Sequence, residues 1–64
     1  MTVLIHVRFA PDGRVSDIGE CPVGLDPQNW YNALSVEAAQ HYQPFAGVFR
    51  LTRDEVERLQ EKAA

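Results

Sequence analysis

Residues 25–42 read LDPQNWYNALSVEAAQHY, and whether this stretch forms a helix decides the fold. It holds the single tryptophan, Trp30, and both tyrosines, Tyr31 and Tyr42. Its start is marked several times over. Asp26 can accept a free amide hydrogen as N-cap, and Pro27 suits the first helical position. Leu25 and Trp30 have the spacing of a hydrophobic staple. At about 100° per residue, Trp30, Leu34, Ala38 and His41 share one side, with Tyr31 and Tyr42 at its margins. Asn32, Ser35, Val36, Glu37, Ala39 and Gln40 take the opposite arc. Pro44 disfavours helical geometry at Gln43, so the helix is expected to stop near Tyr42. The stripe is read as a core face, and Tyr31 and Tyr42 as candidate contact residues, since a marginal tyrosine can bury its ring and keep its hydroxyl wet.

Working outward, TVLIHVRFA alternates, with Val3, Ile5, Val7 and Phe9 on one face and Thr2, Leu4, His6 and Arg8 on the other. That is the pattern of a half-buried strand. APDG then places Pro11 and Gly13 for a type I turn with a left-handed residue, which makes a hairpin. On the returning strand Val15 and Ile18 are three apart, which predicts a bulge near Ser16–Asp17. Pro22 and Gly24 are expected to end it. After the helix, PFAGVFRL reads as a third strand with Phe45, Phe49 and Leu51 inward. Thr52 and Glu55 form a capping box for a second helix, with Leu51 and Val56 as its staple. The order is ββαβα. It implies a two-layer α+β domain over residues 1–64, with a three-stranded antiparallel or mixed sheet of order 2-1-3 and two helices.

A 64-residue chain buries only about 60% of its unfolded surface, so it folds as one domain with little margin. Nine acids against six bases leave a net charge of -3, the wrong sign for direct nucleic-acid binding. No apolar run approaches the roughly 20 residues of a membrane span, and MTVLIHVRFA shows no basic leader before an apolar stretch. The lone Cys21 can make no internal disulfide, which suggests a reducing, cytoplasmic setting.

Chemistry is sparse. His6, His41 and Cys21 lack the spacing of a metal site and number fewer than the four ligands of structural zinc. A Cys21–His41 nucleophile pair has no evident third member. The expectation is therefore no enzyme, no metal and no cofactor. Charge layout is the one feature above background. Asp12, Asp17, Glu20, Asp26 and Glu37 face a single base, Arg14, between residues 12 and 37, whereas acids and bases balance from Pro44 onward. Such a cluster would suit a protein partner with a basic groove, of the kind that holds nucleic acid.

In size, acidity and the Asp12–Glu37 cluster, the chain resembles the small phage-encoded inhibitors of bacterial defence, the anti-CRISPR and anti-restriction proteins. That resemblance implies a non-enzymatic inhibitor in the host cytoplasm, a DNA mimic whose carboxylates occlude a basic surface of a defence complex. Its contact residues would be Asp12, Asp17, Glu20, Asp26 and Glu37, with Tyr31 and Tyr42. VRFAPDGRVSDI followed by LDPQNWYNAL is also similar to the carboxy-terminal domain of TonB-like proteins, which implies a ββαβ core. The basic-aromatic-proline signature of that family is missing, since this chain reads HYQPFAG. The alternative function is a structural or regulatory accessory that homodimerises through an open sheet face, burying Leu4, Ile18 or Val48. Monomer or weak homodimer is the expected state.

Overall fold

The computed structural model describes residues 1–63. Strand β1 spans Thr2–Phe9 and β2 spans Val15–Ile18. The turn between them closes with the Gly13 amide donating to the Ala10 carbonyl at 2.9 Å, and Gly13 takes φ 90. The Asp12 carboxylate accepts the Arg14 amide at 3.0 Å and stiffens the same turn. In the register, Arg8 pairs with Asp17 and Phe9 with Val15, which leaves Ser16 as the extra residue of a bulge. The expected irregularity is there. It puts Val15 and Ile18 on one side despite their odd spacing.

Helix α1 runs Pro27–Ala38. The Asp26 carboxylate accepts the Gln28 amide at 3.0 Å, as an N-cap should. The helix ends earlier than the position of Pro44 implied. A single 3-10 turn at Ala39–His41 follows, and Tyr42–Gln43 form a two-residue strand, β3. Residues 44–47 then turn back, with the Ala46 and Gly47 amides donating to the Gln43 carbonyl at 3.0 and 2.9 Å. Strand β4 spans Val48–Thr52 and helix α2 spans Arg53–Ala63.

The sheet therefore has four strands, in the order β2-β1-β4-β3, all antiparallel. This corrects the three-stranded sheet of order 2-1-3. The stretch PFAGVFRL is half turn and half strand, and Phe45, expected inward, is 90% exposed at the turn. What was expected as the third strand does pair beside β1, as β4.

Both helices lie on one face of the sheet. Ile5, Val7, Val15, Ile18, Phe49 and Leu51 from the strands meet Trp30, Leu34, Ala38 and Val56 from the helices in one core. Trp30 is wholly buried, and its indole N–H donates to the Gly19 carbonyl at 2.9 Å, fixing the first turns of α1 to the end of β2. The capping box of α2 forms in both directions. The Thr52 amide donates to the Glu55 carboxylate at 2.9 Å and the Glu55 amide to the Thr52 hydroxyl at 3.2 Å.

The Thr52 amide, and then the Thr52 side chain, hold the Glu55 carboxyl below its ordinary pKa, with nearby His41 and Arg58 adding to the effect. A carboxyl whose folded pKa is depressed stabilises the fold above its unfolded pKa. It loses that contribution as pH falls through the folded value. Thermal melts of Glu55→Gln should therefore show a shallower acid slope than the parent below about pH 4.5, with the two curves running parallel at neutral pH. Equal acid slopes would show that the capping box carries no charge-linked stability.

Candidate partner-binding surfaces

Each strand presents alternate side chains to opposite faces, so whatever β1 and β4 turn away from the helices forms a second, uncovered surface. On it the register sets Leu4 beside Arg50, His6 beside Val48, and Thr2 beside Thr52. Gln43 flanks Val48 on its other side, and Asp17 stands opposite Arg8. Leu4 is 52% exposed at the middle of this face. It lies in a shallow groove of about 520 Å³ with Thr2, His6, Gln43, Ala46, Val48 and Arg50. Val48, sheltered between its neighbours, is only 6% exposed, and Ile18 at 5% belongs to the core. Of the three residues expected to be buried by a second copy, only Leu4 has surface to give.

The five carboxylates that cluster in the sequence are dispersed by the fold. Asp12 is bonded within the hairpin turn and Asp26 caps α1. Glu20 bonds Arg53 at 2.8 Å and Glu37 bonds Lys62 at 2.6 Å. Asp17 stands on the open sheet face opposite Arg8. Glu20 also has a positive φ of 60, and its carbonyl accepts the Gln60 side-chain amide at 2.8 Å. Its loop is thus tied to α2 by two contacts. Asp17 faces away from the helices, whereas Glu37 lies among them, so the five share no single face.

Tyr31 and Tyr42 are brought together, on the helix-covered side. Their rings meet edge to face at 6.0 Å, and Tyr31 also meets Phe9 at 5.6 Å and Phe49 at 5.9 Å. Tyr42 lies 4.7 Å from Phe49, its register partner on β4. Burial, and then the neighbouring Tyr31, pushes the Tyr42 hydroxyl above the usual phenol pKa. Each such ring pair contributes about 0.5–1.5 kcal/mol. The cluster fastens the short β3 to α1, which gives both tyrosines a structural task.

Cys21 and His41 have separate partners. The Cys21 thiol donates to the Leu25 carbonyl at 3.2 Å, and burial followed by the charge of Asp26 raises its pKa. That is the reverse of what activates a nucleophilic thiol. The His41 ring lies 3.8 Å from the Glu55 carboxylate. No group of three or more His, Cys, Asp or Glu side chains among the described residues can hold an ion, and no helix among them is long and apolar enough to cross a membrane.

One further feature escapes the sequence balance of the last third of the chain. Asp54, Glu57 and Glu61 fall at helical spacing along α2 and, with Arg58, line a shallow surface there. Comparison of the chain with family models, with curated proteins and with solved structures gives no match.

Proposed function

We propose that the chain is a non-enzymatic protein-binding module and that it meets its partner through the uncovered face of its sheet. The observation that carries this reading is Leu4, half-exposed at mid-strand on a face with no layer of the fold against it. A leucine there adds nothing to the core of a domain that has little core to spare. Covering it on a partner would gain about 1 kcal/mol in apolar burial alone. The groove around it supplies both apolar and hydrogen-bonding side chains, as the centre of an interface requires.

A second reading keeps the acidic inhibitor, the DNA mimic of anti-CRISPR type that occludes a basic nucleic-acid-binding surface. Asp54, Glu57 and Glu61 on α2 favour it more than the Asp12–Glu37 cluster does, because most of that cluster already has local partners. Two variants separate the readings. Leu4→Glu points to solvent and should leave stability within about 0.5 kcal/mol. It should abolish partner capture from a lysate of the source cells, while Asp54→Lys with Glu57→Lys leaves capture intact. The reverse pattern would transfer the function to the acidic helix.

A further inference from the structure

The two sides of the molecule differ in charge. Helix α2 turns Asp54, Glu57 and Glu61 to solvent with Arg58, and Glu20, Asp26 and Glu37 lie near or on the helices. On the open sheet face the charges are Arg8, Arg50 and Asp17. Asp17 is the register neighbour of Arg8 without forming an ion pair with it, and no carboxylate among the described residues is within ion-pair distance of Arg50. A chain of net charge -3 thus carries an unpaired cation beside its one exposed mid-strand leucine.

That juxtaposition decides what can lie on the face. Consider a second copy first. A two-fold axis that stacks Leu4 on its own copy lies in the plane between the two sheets. Arg50 is one strand spacing, about 4.8 Å, from Leu4. Whatever the direction of the axis, the two Arg50 positions then fall within about 10 Å of each other in that plane, inside roughly one screening length. Self-association centred on Leu4 therefore sets like charges together. A nucleic acid fares no better. Phosphate binding of useful strength takes roughly 6–10 basic contacts, and the acids on the helices repel a polyanion.

We propose that the open face receives a short acidic segment of a protein partner, seating an apolar side chain on Leu4 and a carboxylate on Arg50. This rests on the reading of the sheet face as the binding surface and names the chemistry of its occupant. Ala46 belongs to the groove, and Phe45, 90% exposed at the same turn, stands ready to flank the segment. The acidic α2 surface repels such a segment, so approach is steered to the sheet side.

The test is a titration of the isotopically labelled chain, followed by amide shifts, with two extended peptides. One repeats Leu-Ser-Glu-Ser and the other Leu-Ser-Lys-Ser, so that apolar and charged side chains share one side of the strand. The expected result is that only the acidic peptide shifts Leu4, Val48 and Arg50. Its affinity should fall roughly tenfold in Arg50→Glu and again when salt is raised from low to high. If both peptides shift that face equally and without regard to salt, the acidic preference is overturned and the sheet-face reading stands. Shifts confined to the helices, from either peptide, would overturn both. Shifts at Leu4 that depend on the concentration of the chain alone would replace the acidic segment with a second copy. No shift from either peptide, in a chain that stays folded, also overturns the proposal.

Discussion

Replacing Trp30 with alanine should leave the chain largely unfolded at room temperature. The indole is wholly buried at the meeting point of α1 and the sheet, and truncating a buried tryptophan costs about 3–5 kcal/mol. At about 0.05–0.15 kcal/mol per residue, a domain of this length holds only about 3–10 kcal/mol in total. Trp30→Phe separates packing from hydrogen bonding. It keeps most of the apolar bulk but leaves the Gly19 carbonyl without the donor it has at 2.9 Å, a loss of about 1–3 kcal/mol. Urea unfolding followed by far-ultraviolet circular dichroism should rank parent, Trp30→Phe and Trp30→Ala in falling order. A Trp30→Ala chain with the midpoint of the parent would mean that the core does not depend on this residue.

The weight on Trp30 is legible in the sequence because its signals are local. Asp26, Pro27 and the Leu25–Trp30 spacing announce a helix start within six residues, and Thr52 with Glu55 do the same for α2. The Ser16 bulge followed from two apolar residues at an odd spacing. The hairpin of β3 and β4 was missed for an equally local reason. Two residues of strand are too few to show alternation, and Tyr42 follows Ala38 at helical spacing, so it reads as the last turn of α1. Ala38 itself leaves helical geometry, at φ -137 and ψ 29, and nothing in its side chain signals that. Phe45 was expected inward because phenylalanine usually is. At a turn of four residues it has no core within reach.

The candidate site was less legible, because it depends on contacts far apart in the chain. Glu20 and Arg53 are 33 residues apart, and Glu37 and Lys62 are 25 apart. A run of acids in sequence looks like an acidic face only if the backbone keeps them together. Here a bulged strand, a tied loop and a helix send them to different sides. The open sheet face was half visible. Strand alternation places Thr2, Leu4, His6 and Arg8 on one side of β1, but only the pairing with β4 brings Arg50 next to Leu4.

That face depends on the turn of residues 44–47, and replacing Gly47 by valine should undo it. Gly47 has φ 62, a conformation that costs an L-residue about 1–2 kcal/mol and a β-branched one more. Its carbonyl accepts the Val7 amide at 2.8 Å, so the turn is held against β1. A Cβ at this position would lie 3.4 Å from the Val7 carbonyl oxygen, in van der Waals contact, so the γ-methyls of valine must find room against β1. The expected total is about 2–3 kcal/mol, with amide exchange accelerated at Val7 and Val48 first. Gly13→Ala is the control. Gly13 also has a positive φ, of 90, but an added Cβ there meets nothing within 4 Å, so only the backbone cost applies. A chain that loses the Gly47 turn should keep its α1 packing, because Trp30 and its Gly19 contact lie on the far side of β1. It should nevertheless lose the groove, since Ala46 and Val48, which line it, follow the turn. If Gly47→Val proves no more harmful than Gly13→Ala and the exchange at Val7 is unchanged, the turn is not what holds the groove in place.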